Sequence, residues 1–172
     1  MSIPTVELLL GIAEFSIGLA GFSAIIAVFA GRDGRWAASD RQRGVVLILT
    51  ALTPGFISFV ALGLGTIDLR EQIIWRLSGA VFAAAIVASL FIGVTGYRAI
   101  PDAERQVFSP VVGTFLVGGS ALNGAVQLFG AFGGLGSLTF TGLYFGLVWQ
   151  LFVGAIQFVR IVFVRPDHTG GV

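Results

Sequence analysis

Residues 6–30 read VELLLGIAEFSIGLAGFSAIIAVFA, an apolar run with one carboxylate, Glu14, well inside it. At ~1.5 Å per residue the run is long enough to cross a bilayer. Glu14 lies about nine residues from its start, hence roughly 13 Å deep and near the midplane. A charge at that depth costs about 2.5–3.5 kcal/mol on insertion scales, so an intramembrane acid is read first as a functional group.

The rest of the chain has the same character. Of its 172 residues 56% are hydrophobic and 11% charged, and the mean hydropathy is +0.95. No water-soluble core hides that much apolar surface, so the lipid bilayer is the expected solvent. The 25 Gly and 16 Phe fit this class, because small residues let transmembrane helices approach and Phe fills lipid-facing gaps. A net charge of +1 speaks against nucleic acid as a partner. With no Cys, one His and one Met, the chain offers no disulfide, no thiolate, no haem axial pair and no His/Cys zinc site. No metal or cofactor is therefore expected. Ser58, Ser89 and Ser120 have no His or Lys partner at depth, and Glu7 lies two turns, roughly 10 Å, from Glu14. No catalytic residue is assigned, and the chain is not expected to be an enzyme.

Hydropathy and turn chemistry predict a single all-α transmembrane domain spanning residues 1–172. Its five helices are expected at about 5–30, 43–66, 70–97, 110–132 and 138–164. The first segment is a retained helix and not a signal peptide: it has no basic leader, carries Glu7 and Glu14, and is too long. Ser39 and Gln42 match a capping box that opens the second helix, and Asp68 with Glu71 do the same for the third. In the second helix LTPGF (52–56) sets Pro54 and Gly55 near mid-span as a kink or hinge. Ser109 before Pro110 is a cap followed by proline at the first helical position. FGGLGS (132–137) is a tight turn that folds the fifth helix back on the fourth.

All ten basic residues are Arg. Five spans gather Arg32, Arg35, Arg41, Arg43, Arg98, Arg105, Arg160 and Arg165 on one side and leave Arg70 and Arg76 on the other. The positive-inside rule then predicts a cytoplasmic C-terminus and an external N-terminus. The acid-and-glycine opening helix resembles those of small bacterial membrane proteins. That likeness covers one helix and carries no function, but it points to a bacterial cytoplasmic membrane.

Three polar stripes follow helical spacing. Glu7, Gly11, Glu14, Gly18 and Gly21 line one face of the first helix; Ser120, Asn123, Gln127 and Gly130 line the fourth; Gly146, Gln150 and Gln157 line the fifth, continued by Arg160. Small residues around an acid predict a face pressed against protein. Each polar side chain needs a partner in lipid, so the three faces are expected to meet or to line water. Counting from the helix ends puts Glu14, Thr50, Thr53, Asn123 and Gln150 at mid-depth, with no basic residue beside them.

One acid among neutral oxygens suits a hard cation or a proton and is a poor match for an anion, unless Arg160 or Arg76 lends charge from nearer the surfaces. The expected ion or proton pathway is thus Glu14, Thr50, Thr53, Asn123, Gln127, Gln150 and Gln157. Two roles stay open for these groups, since an acid or amide can also serve only as interhelical glue. Five helices enclose little interior, so a pore is easier to build around an axis shared by several copies. The leading expectation is a homo-oligomeric channel or transport subunit for cations or protons. The alternative is a non-transporting structural or regulatory subunit that docks a partner or anionic lipid through the arginine-rich loop 31–43, with Arg32, Arg35, Arg41 and Arg43.

Overall fold

The computed structural model describes residues 1, 3–30, 37–105 and 108–163. These form five long helices, α1 (Ile3–Ala30), α2 (Ala38–Leu64), α3 (Glu71–Arg98), α5 (Pro110–Ala131) and α6 (Thr139–Phe163), with a single turn of helix, α4 (Asp102–Arg105), between α3 and α5. Each long helix has the length and hydropathy to cross a membrane, and no strand occurs among the described residues.

Two helix starts differ from the capping expectation. Helix α2 begins at Ala38 and not near 43, its N-cap is Ala37 without a side-chain bond, and the Ser39 box is not used. Instead the Ser39 N–H donates to Oε2 of Glu104, in α4, at 2.9 Å. A carboxylate from a distant turn satisfies a free N–H and faces the positive end of the helix dipole, which lets α2 start early. Helix α3 starts at Glu71 with Arg70 as an N-cap that makes no side-chain bond. The closing hydrogen bonds of α2 run on through Gly65, Thr66 and Ile67, so Asp68 is taken up in the turn and is not placed to cap. The third cap forms as expected: the Ser109 hydroxyl accepts from the Val112 N–H at 3.5 Å, with Pro110 at the first helical position.

The turn between α5 and α6 uses glycine where the backbone requires it. Gly133 and Gly136 have φ of +90° and +54°, which side chains with a Cβ rarely adopt. The guanidinium of Arg76 packs on Gly133, where a Cβ would lie 2.6 Å from Nη2.

Helices α2 and α6 hold the middle of the bundle: α2 lies against α1, α3 and α6, and α6 against α1, α2, α3 and α5, while α3 and α5 pair with each other. The apolar core, including Ile57, Ala61, Trp75, Phe82, Leu143 and Leu147, is built toward the end where α1, α3 and α6 begin. At the opposite end, where α2 begins and α3 and α6 finish, the helices part around a cavity of about 650 Å³.

Candidate functional site

Helix α1 carries two stripes of small residues, and the chain buries only one of them. Ala13, Ser16 and Ser23 are buried. The Ser16 hydroxyl donates to the Ala51 carbonyl of α2 and accepts from the Gly55 N–H at 3.0 Å. In a regular helix that N–H and that carbonyl are each other's partners, so Ser16 bonds to both groups of one rung of α2. Next to it the ring of Pro54 removes the N–H that would have met the Thr50 carbonyl. Gly55 is what admits Ser16, since a Cβ there would lie 2.8 Å from its Oγ. Helix α2 is continuous through this point, and the expected hinge Pro54–Gly55 is the seat of α1.

The other stripe faces outward. Glu7, Gly11, Glu14, Gly18 and Gly21 are all exposed, and a Cβ added at Gly11, Gly18 or Gly21 would have no atom within 4 Å. Glu14 therefore does not join the interior layer with Asn123 and Gln150. The glycines beside it leave open space among the described residues. Beside the stripe, Glu7, Gly11, Phe15 and Tyr144 line a groove of about 540 Å³ between α1 and α6.

The stripes of α5 and α6 do meet. Asn123 donates through Nδ2 to the Gly146 carbonyl at 3.1 Å, and Gln127 donates through Nε2 to the Asn123 Oδ1 and to the Gly142 carbonyl, both at 3.0 Å. Glycine at 142 and 146 bares the backbone of α6 so that both amides reach its carbonyls. Thr50 and Thr53 give their hydroxyl protons to carbonyls of their own helix, at Val46 and Leu49, the usual back-bonding of hydroxyls in apolar surroundings. Trp149 lies over Gly119, where a Cβ would meet its ring at 2.1 Å, and stacks edge-on with Phe115. This is close packing of α6 on α5.

Gln150 is different, being 2% exposed with an Oε1 that has no hydrogen-bond partner among the described residues, and Gln157 Oε1 is likewise buried without one there. Both side chains line the 650 Å³ cavity, together with Thr50 and Ser120. The cavity mouth carries Arg43, Arg98 and Arg160, and none of the described residues that line it is an acid. Arg43 belongs to the first turns of α2 and not to a loop. It is 2% exposed, and its Cζ stands 4.8 Å from the centre of the Phe108 ring, with Asp40 at 3.9 Å. Arg41 is exposed, whereas Arg32 and Arg35 lie outside the described residues.

The chain matches no protein-family model, no curated protein and no solved structure.

Its function is thus argued from its own geometry. No group of three or more His, Cys, Asp or Glu side chains among the described residues is placed to hold a metal. Sequence reasoning missed the cavity as a unit. Its signal was present in two spacings, Arg43 with Thr50 on α2 and Gln150 with Gln157 and Arg160 on α6, each of which stays on one helical face.

Proposed function

We propose that the protein is a homo-oligomeric channel or transport subunit for cations or protons, in which the Glu14 face of α1 is covered by a second copy of the chain. One observation carries the reading: a carboxylate well inside an apolar span lies on the outside of the folded chain, flanked by glycines where an added Cβ would meet none of the described atoms within 4 Å. Facing acyl chains, that group costs about 2.5–3.5 kcal/mol or more as an anion. A neighbouring copy relieves this cost, and Gly11, Gly18 and Gly21 permit the close helix approach that such contacts need. In a closed ring the Glu14 carboxyls of successive copies surround one axis, where they bind a cation or pass a proton. The arginine asymmetry supports an orientation with the N-terminus outside and the C-terminus in the cytoplasm of a bacterial cell.

The test is ion and proton flux in proteoliposomes at two pH values, for wild type and Glu14→Gln, with native mass spectrometry of both. A multimeric wild type whose flux is abolished by the substitution, with assembly unchanged, is expected. A monomer in lipid refutes the shared axis.

The bonding of Asn123 and Gln127 to the α6 backbone supports a second reading, in which the interior polar groups only fix the helices and the protein is a structural or regulatory subunit. Of the arginine-rich segment 31–43, Arg41 is then exposed for docking a partner, while Arg43 is turned into the bundle. Well-folded oligomer without flux, together with a soluble partner lost on Arg41→Gln, favours this second reading.

A further inference from the structure

The cavity at the arginine end is separate from the Glu14 face and has a chemistry of its own. Its walls are mostly aliphatic, with Val46, Leu49, Ile86 and Leu116 among the lining side chains. At its deep end it is polar: Thr50, Ser120 and Gln150 line it, each near the middle of its helix, and all three are buried. On one side it is open, since Val94 on α3 and Val117 on α5 line it and are 38% and 47% exposed. Gly113 and Gly118 border the same side, and a Cβ added at either would have no described atom within 4 Å. Farther from the mouth α3 and α5 close up, with the Gly79 position 3.4 Å from the Gln127 carbonyl and the Gly124 position 3.2 Å from Ile86. The volume of about 650 Å³ falls within the roughly 300–1,000 Å³ of small-molecule sites.

Charge does not select an occupant for the deep end. Arg43 is engaged within the chain, by Asp40 at 3.9 Å and by the Phe108 ring at 4.8 Å, and Arg98 is exposed. The arginines of the mouth repel a cation, with no acid among the described lining residues to offset them. An anion at the floor is far from them, because Gln150 lies ~15 Å along α6 from Arg160 and Thr50 ~10 Å along α2 from Arg43; a buried charge without a partner is costly. What the floor lacks is a hydrogen bond. The Thr50 hydroxyl gives its proton to the Val46 carbonyl at 2.8 Å, whereas Gln150, 2% exposed, has an Oε1 with no partner among the described residues. A carboxamide carries an acceptor on one side and two donor protons on the other, and a hydroxyl both donates and accepts, so a hydroxyl pairs with whichever side meets it. Water does the same at the floor but finds no partner along the aliphatic walls.

We infer that this cavity binds a neutral amphiphile with a terminal hydroxyl, which pairs with the Gln150 carboxamide at the floor while the apolar chain lies along the walls and leaves between α3 and α5. The ligand belongs to the chemical class of long-chain alcohols. Burial of the chain supplies the affinity, and the one hydrogen bond at the floor supplies the selectivity. The open side between Val94 and Val117, bordered by Gly113 and Gly118, admits such a molecule from the apolar phase around the helices.

The experiment reads occupancy and not transport, so its outcome is independent of the function proposed above. The full chain in phosphatidylcholine nanodiscs is photolabelled with a diazirine-bearing 1-hexadecanol, and the crosslinked peptides are identified by mass spectrometry. Crosslinks to α3 and α5 are expected, displaced about 10-fold more effectively by 1-hexadecanol than by hexadecyl methyl ether, which keeps the chain and loses the donor. Gln150→Leu is expected to make the two competitors equal. Gly113→Leu, which grows a side chain into open space, is expected to lower the labelling itself with the melting temperature kept, and so tests the site even where Gln150→Leu does not fold. Equal displacement in wild type, a preference for the alcohol that survives in folded Gln150→Leu, or labelling indifferent to Gly113→Leu overturns the inference. Displacement by hexadecanoate more effective than by 1-hexadecanol also overturns it, since the site would then be one for an anion.

Discussion

Substituting Gly146 by Ala tests the polar contact between α5 and α6 most directly. A Cβ at that position would lie 2.3 Å from Gln127 Nε2, 2.5 Å from Asn123 Oδ1 and 3.1 Å from Phe82 Cε1. Neither amide has anywhere to retreat without breaking its own bonds, because Asn123 is tied to the Gly146 carbonyl and Gln127 to Asn123 and Gly142. Hydrogen bonds between membrane helices average about 0.6 kcal/mol and reach about 1.7. Losing these three therefore costs about 2 kcal/mol. Forcing a methyl group into a filled site adds about 1–3 kcal/mol, so the expected destabilisation is about 3–5 kcal/mol. Reversible unfolding in mixed micelles, followed by far-UV circular dichroism, measures it. A double-mutant cycle separates the two causes: Asn123→Ala removes one of the groups the methyl strikes, so the second substitution should cost less in its presence. A loss below about 1 kcal/mol for Gly146→Ala, or strict additivity in the cycle, would refute the packing described for this contact.

Three further outcomes are expected. Ser16→Ala removes the hydroxyl that joins α1 to Ala51 and Gly55 and should destabilise the bundle by about 0.6–1.7 kcal/mol in the same unfolding assay. Glu104→Ala strips the carboxylate from the start of α2 and should cost about 1 kcal/mol, with faster amide hydrogen exchange in residues 38–41 and no change at the far end of the bundle. Gly18→Leu adds a side chain where no atom lies within 4 Å. It should leave monomer unfolding within about 0.5 kcal/mol of wild type while shifting mass photometry toward smaller assemblies; unchanged assembly would remove α1 from the contact between copies.

The helices were legible because hydropathy and caps are local. A run such as VELLLGIAEFSIGLAGFSAIIAVFA needs no tertiary information to be recognised as a span, and Ser109 with Pro110 marks its helix start from neighbouring residues alone. The caps of α2 and α3 were misread for a physical reason: the first is supplied by Glu104 from another turn, and the second is displaced by the tight turn that follows α2. Asn123, Gln127 and Gly146 were legible as stripes that meet. Glu14 was legible as an acid at depth, but its neighbours were not.

What the sequence alone determined is the class of the molecule: an all-helical chain with five helices long and apolar enough to cross a membrane, a polar residue at mid-depth on several of them, and arginine gathered at one end. Periodicity along a helix states which residues share a face, yet it says nothing about which face is buried. Helix α1 has small residues on two sides, Ala13, Ser16 and Ser23 on one and Gly11, Gly18 and Gly21 on the other, and either could have packed. The tertiary structure decided between them, because the Ser16 hydroxyl finds a donor and an acceptor at Gly55 and Ala51 beside Pro54. That contact turns Glu14 outward. In the same way the cavity at Arg43 and Arg160 exists only in three dimensions, where glycines on α3 and α5 let two helices that touch at one end part at the other.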